Sequence, residues 1–183
     1  MSNIDAKVIS GFIKGKKRAF DKIYHAYSPG MYAIALRYVK DEDQAKDVLQ
    51  NSFIKLYKSR DNFDPSGSIG AYIKRITINT ALDEIRKSKR FESIDETMVL
   101  SESDDEFELE NDSNQNYEQL LALIQELPDG YRMVFNLFVF ENLKHKEIAE
   151  YLNISVNTSK TQLLKAKRML KERLLNMVNS ERA

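Results

Sequence analysis

The chain has 183 residues, 42% of them apolar, and its 28 Lys and Arg balance 28 Asp and Glu to a formal net charge of +0. That length suits one medium domain or two small ones. No apolar run of about 18 residues is present to span a bilayer, the start MSNIDAKVIS lacks the form of a signal peptide, and the absence of cysteine excludes disulfides and thiolate metal sites. A cytoplasmic protein is expected. The neutral total conceals three blocks: 18 basic against 10 acidic residues over 1–90, 10 acidic and no basic over 91–116, and 10 basic against 8 acidic over 117–183. Such asymmetry bears on partners rather than on fold.

In chain order, Ile4, Val8 and Phe12, then Phe20, Ile23, Tyr24 and Tyr27, recur at helical spacing. Gly15 and the basic cluster at 16–18 separate two helices, and Ser28-Pro29 predicts a fresh helix start, since proline fits a first turn. Met31, Ile34, Ala35 and Tyr38 define the next buried stripe. Asp41-Glu42-Asp43 places acids where a helix N-terminus favours them. The helix after it buries Ala45, Val48, Leu49, Phe53 and Leu56 or Tyr57, and its outer strip carries Asp47, Gln50 and Lys58.

The loop FDPSGSIG follows, with Pro65, Gly67 and Gly70 expected to allow a sharp reversal and unusual backbone angles. AYIKRITINTALDEIRKSKR then has no Gly or Pro and predicts about five helical turns. One face reads Arg75, Asn79, Asp83, Arg86, Arg90. The apolar positions Ile69, Tyr72, Ile73, Ile76, Ala81, Leu82 and Ile85 need a core. A basic, amide-bearing strip beside a flexible loop suits a nucleic-acid strand, with cations on phosphates and Asn79 on a base edge. Taken alone, a solvated helix face accounts for the same pattern.

Residues 91–116 lose periodicity and read as a flexible acidic linker, with one short apolar contact at Met98-Val99-Leu100. Helices resume at Tyr117. QLLALIQEL ends at Pro128, Asp129 lies just inside the next helix, and YRMVFNLFVFEN belongs at the centre of a second core.

The last stretch reads as a helix-turn-helix. Ala149 is the small residue where two helices cross, Ile148, Leu152 and Ile154 form their shared core, and Asn153 suits a left-handed turn position. Ser155 is placed to N-cap the second helix. That helix points Asn157, Thr158, Lys160, Thr161 and Lys165 outward and Leu163, Ala166, Leu170 and Leu174 inward, a pattern suited to the major groove. Enzyme chemistry has no foothold: the sequence contains no GxxxxGK[ST], GxSxG or HExxH, and the acidic run at 102–112 lacks a calcium loop's glycine. His25 and His145 are too far apart in pattern to form a site. No cofactor or metal is expected.

These segments together resemble the extracytoplasmic-function sigma factors, small two-domain specificity subunits of bacterial RNA polymerase. Residues 45–57 resemble the helix that binds core polymerase, with Ala45, Asp47, Gln50 and Phe53 in matching places. Residues 72–90 resemble the −10 segment, with Tyr72, Arg75, Asn79 and Asp83 at the positions of the usual Trp, Arg, Asn and Asp. Residues 127–152 and 155–174 resemble the C-terminal domain and its −35 recognition helix. The resemblance implies an all-α chain of two small helical domains: residues 1–90 for core binding and the −10 element, 91–116 as linker, and 117–183 for the −35 element. It implies core binding by Asp47, Gln50 and Phe53 on the β′ clamp helices. Tyr72, Arg75, Asn79, Asp83 and Arg86 would take the −10 strand, with a flipped base in the 64–70 loop. Ser155, Asn157, Thr158, Lys160, Thr161 and Lys165 would take the −35 duplex, with the β flap alongside. An anti-sigma factor is a further implied partner, and a monomer is expected. On charge alone the linker is either a mimic of nucleic acid in a basic channel or a solvated tether.

The chain departs from the family pattern at several positions. Tyr72 replaces Trp, and Ile78 stands where a basic residue is common, which predicts weaker strand contacts. Asn157, Ser159 and Gln162 replace common Gly, Val and Arg. Ser159 then carries a hydroxyl into a normally apolar core position, where it is expected to bond back to a helix carbonyl. An altered −35 preference is the expected result. The competing class is a helix-turn-helix regulator that binds DNA without being a polymerase subunit.

Overall fold

The computed structural model describes residues 4–88 and 114–181. Most of the acidic connector, its apolar contact at Met98-Val99-Leu100, and Arg90 lie outside the described residues. The chain divides into two compact units, residues 1–90 and 91–183. Both are helical, and among the described residues there is no strand.

The first unit comprises α1 (Ala6–Ile13), α2 (Lys17–Tyr38), α3 (Glu42–Lys58), a short 3₁₀ turn (Arg60–Asn62) and α4 (Ile69–Ser88). Asp5 caps α1 by accepting from the Lys7 N–H at 2.8 Å, and Asp41 caps α3 by accepting from the Gln44 N–H at 2.8 Å. Gly15, with φ of +71°, turns the chain between α1 and α2. α2, α3 and α4 pack on one another around Ile23, Tyr38, Leu56, Ile73 and Leu82, all at most 1% exposed. Each of the aliphatic side chains among them contributes about 1.5–3 kcal/mol by leaving water. An aromatic cluster joins α1, α2 and α3: Phe20 lies 6.4 Å from Phe12 and 5.3 Å from Tyr57, and Tyr24 lies 4.8 Å from Phe53. Leu56, not Tyr57, takes the buried place on α3.

Pro29 does not begin a helix. It lies inside α2, which runs through it for 22 residues. Pro29 and the preceding turn's His25 are on the exposed side, while Ile23, Met31, Ile34, Ala35 and Tyr38 continue one buried stripe past the break. Proline removes one helical hydrogen bond, and burial on both sides of it outweighs that local loss. Three buried hydroxyls are satisfied within their own helices: Ser52 donates to the Val48 carbonyl, Thr77 to Ile73 and Thr80 to Ile76, at 2.6, 3.0 and 2.8 Å.

The second unit comprises α5 (Asn114–Gln125), α6 (Asp129–Val139), α7 (His145–Leu152) and α8 (Val156–Glu181). α5 begins at Asn114, so the last residues assigned to the linker by composition are helical. The core is formed by α6 against α8, with Val134, Phe135, Leu137, Ile148, Ala166 and Leu170 buried. Arg132 is the exception in kind, a cation only 1% exposed. Its guanidinium donates to the carbonyls of Gln125 (3.2 Å) and Leu127 (2.6 Å) and to the Asp129 carboxylate (2.6 Å). It thereby ties the last residue of α5, Gln125, and the turn residue Leu127 to the start of α6.

Candidate nucleic-acid interface

On α4 the packing of Ile73, Ala81, Leu82 and Ile85 turns Arg75, Asn79 and Arg86 outward, all exposed, with Asp83 half-buried between them. Asp83 links two cations: Lys55 of α3 donates to its Oδ2 at 3.2 Å, and Arg86 Nη1 lies 3.8 Å from its Oδ1. These groups are 40–48% exposed, so the pairs contribute at most about 1 kcal/mol. Their effect is to hold two long cationic side chains beside the strip. The sequence reading missed Lys55, which is 28 residues from its partner.

Tyr72 is half-buried rather than free. Its hydroxyl donates to Ser59 Oγ at 3.0 Å, Ser59 in turn donates to the Lys55 carbonyl at 2.9 Å, and Phe63 lies 5.2 Å from its ring. Ile78 is 5% exposed and faces the core, so it adds no group to the polar strip.

The loop before α4 is internally bonded. Asp64 accepts from the Ser66 N–H at 2.9 Å and the Ser66 hydroxyl at 2.7 Å, which hold its carboxyl below the ordinary aspartate range. Gly67 and Gly70 do not have positive φ; Gly15 is the only described glycine that does. At Gly70 the constraint is proximity instead, since a Cβ there would meet Tyr27 Cε1 at 2.9 Å and the ring would have to shift.

On α3, Asp47 and Gln50 are exposed and share a face with Ile54 (44% exposed) and Tyr57 (38%). Tyr24 of α2 is 37% exposed. Phe53 does not belong to this surface. It is 3% exposed, wedged against Phe20 and Tyr24, so its ring supports the face from beneath. Amphipathic spacing assigns Phe53 to the core. The exposed apolar residues Ile54, which was missed, and Tyr57, which was offered as a core alternative to Leu56, fall on the polar side of that spacing.

The helix-turn-helix has the expected turn chemistry. Glu147 accepts from the Lys144 N–H at 2.7 Å to start α7. Asn153 takes the left-handed conformation (φ 56°, ψ 51°), and the Ile154 N–H returns to the Ala149 carbonyl at 3.0 Å. Ser155 Oγ accepts from the Thr158 N–H at 2.9 Å and shares a 2.7 Å hydrogen bond with the Thr158 hydroxyl, a cap that contributes about 1 kcal/mol. Asn157 and Lys160 are exposed, and Thr158, Thr161 and Lys165 are half-buried along the same side of α8.

Ser159 is fully buried, but its hydroxyl does not end on a helix carbonyl. It shares a 2.9 Å hydrogen bond with Nδ1 of His145, whose ring stacks on Phe138 at 4.9 Å. Burial, then Lys160 and Lys167, push the His145 pKa below its ordinary value and favour the neutral ring. Among the described residues no group of His, Asp and Glu is disposed to hold a metal ion, and no helix is long and apolar enough to cross a membrane.

Residues 23–91 match the family Sigma-70 region 2, and residues 117–170 match Sigma-70 region 4. The RNA polymerase sigma factor SigV of Bacillus subtilis is 31% identical over 145 residues, covering 78% of this chain and 83% of that protein. The chain belongs to the extracytoplasmic-function sigma factors. The ECF RNA polymerase sigma factor SigM of the same organism is 29% identical over 161 residues, covering 88% of this chain and 98% of its own. In fold the chain is similar to the sigma factor RpoE of Bartonella quintana, solved with the anti-sigma factor NepR, at a TM-score of 0.54 and 17% identity over 85% of this chain and 96% of that one. As a sigma factor the protein directs RNA polymerase to promoters. The region 2 match decides against a regulator that carries only a helix-turn-helix and works without polymerase.

Proposed function

We propose that residues 1–90 form the unit that binds core polymerase and takes the non-template strand of the −10 element, and that residues 117–183 read the −35 duplex beside the β flap. The connector 91–116 joins them within the cytoplasmic polymerase complex. The exposed α3 face meets the β′ clamp helices through Asp47 and Gln50, with Ile54 and Tyr57 adding apolar area and Phe53 supporting them from below. Polar residues around a small apolar centre suit a protein–protein contact.

On α4, Arg75 and Arg86 take phosphates and Asn79 a base edge, while Asp83 orients Arg86 and Lys55. A carboxylate is repelled by phosphate, so Asp83 acts through its cations. A base extracted from the duplex at a cost of a few kcal/mol enters the 64–70 loop beside Tyr72, whose ring is preset by Ser59. In the second unit Ser155 presents its helix end, Asn157, Thr158 and Thr161 meet base edges, and Lys160 and Lys165 meet phosphates.

The observation that carries this reading is one chain with an exposed Arg75–Asn79–Arg86 strip in its first unit and a capped helix-turn-helix in its second. The protein acts without a cofactor, as a monomer within the holoenzyme, and is held inactive by an anti-sigma factor. Run-off transcription on a genomic promoter library is the test. Defined transcripts are expected only when this chain and core polymerase are both present. Tight, sequence-specific promoter binding by the chain alone, with no transcripts on adding core, would instead identify a free-standing regulator.

A further inference from the structure

We propose that His145 and Ser159 are a positioning pair that sets the rotation of α8, and with it the −35 sequence preference. This rests on the assignment of α8 to the −35 element. Three elements meet at the pair: Phe138 at the end of α6 stacks on the His145 ring, His145 opens α7, and its Nδ1 shares the 2.9 Å hydrogen bond with Ser159 in the second turn of α8. Ser159 is fully buried, so its hydroxyl has no access to water and is directed by the partner it has.

Ser159 lies between Thr158 and Lys160, one turn inside the cap at Ser155. Successive residues on a helix are about 100° apart, so the side chain that faces inward fixes where Asn157, Lys160 and Thr161 face outward. A rotation of about 15° moves side-chain tips some 5–6 Å from the axis by about 1.5 Å, enough to lose a hydrogen bond to a base edge. An apolar residue at 159 would pack without a directional requirement. The hydroxyl adds one, and His145 satisfies it from a ring already held on its other side by Phe138. Neither side chain needs to touch DNA.

The test uses the full chain with core polymerase on promoters whose −35 segment is randomised, with transcripts sequenced. His145→Phe keeps the stack and removes the hydrogen bond; Ser159→Ala removes it from the other side; His145→Asn returns a polar atom near the position of Nδ1. His145→Phe and Ser159→Ala are each expected to change preference among −35 sequences by roughly fivefold, the order of one base contact. The −10 preference and core affinity should stay unchanged, and His145→Asn should recover part of the wild-type −35 preference. A purely structural role would lower the melting temperature and leave the ranking of −35 sequences intact; that result overturns the proposal. A wild-type protein with no −35 preference overturns the assignment of α8 and this inference together, whereas a wild-type preference unaltered in both variants removes only the pair's role.

Discussion

Replacing Arg132 by methionine will unfold the C-terminal unit while the N-terminal unit stays folded. Methionine keeps much of the side-chain volume, so the effect reports the lost charge and donors rather than a cavity. The carbonyls of Gln125 and Leu127 lose their guanidinium donor, and Asp129, with its side chain 13% exposed, loses the guanidinium it pairs with. Removing one member of a buried pair costs about 3–5 kcal/mol. A small helical unit has only the lower part of the usual stability of about 5–15 kcal/mol to lose. Hydrogen exchange on the full chain measures this directly: amides of α6 and α8 should lose protection while those of α2–α4 keep it. Wild-type protection in α6 would show that the guanidinium is dispensable.

Alanine at Asn79 is the second large effect, and it acts on function instead of folding. Asn79 is exposed on α4, and its neighbours Ile78 and Thr80 are buried, so truncation leaves the core intact. The loss of a base-edge contact costs about 1–3 kcal/mol. Open-complex formation, followed by permanganate reactivity of unpaired thymines near −10, should fall about tenfold or more by that measure. Affinity for core polymerase should be unchanged. A greater loss of core affinity than of promoter opening would remove Asn79 from the strand-binding strip and return it to the docking surface.

Much of this was legible in the sequence because local rules and tertiary packing agreed. The helix-turn-helix is the clearest case. A left-handed Asn153, a capping Ser155 and a small Ala149 are each required by a few neighbouring residues, and the fold imposes nothing different. The α4 strip was legible for a similar reason, since buried Ile73, Leu82 and Ile85 dictate which side remains open. Pro29 misled because its local preference for a helix start is weaker than the stripe of buried side chains running past it. Gly67 and Gly70 misled differently. Glycine signals either an unusual backbone angle or a close approach, and only the position of Tyr27 identifies the second for Gly70.

What remained illegible was pairing across distance. Lys55 with Asp83, Tyr72 with Ser59 and His145 with Ser159 are separated by 28, 13 and 14 residues, beyond any helical repeat. Arg132 was within reach. Asp129 lies three residues before it at a helix start, a spacing that favours an ion pair, but an arginine in an apolar run is ordinarily read as pointing outward. For the same reason Ile54 went unremarked and Tyr57 was considered only as a core alternative to Leu56, since an exposed apolar residue is noticed only when its neighbours on the surface are known.

All of these assignments depend on the chain being a subunit of the polymerase. The most direct measurement is gel filtration of the purified protein with bacterial core polymerase lacking any specificity subunit, followed by run-off transcription from the peak. Stoichiometric co-elution and transcripts with defined starts are expected. A chain that elutes apart from core at micromolar concentration, with transcription no different from core alone, would contradict it.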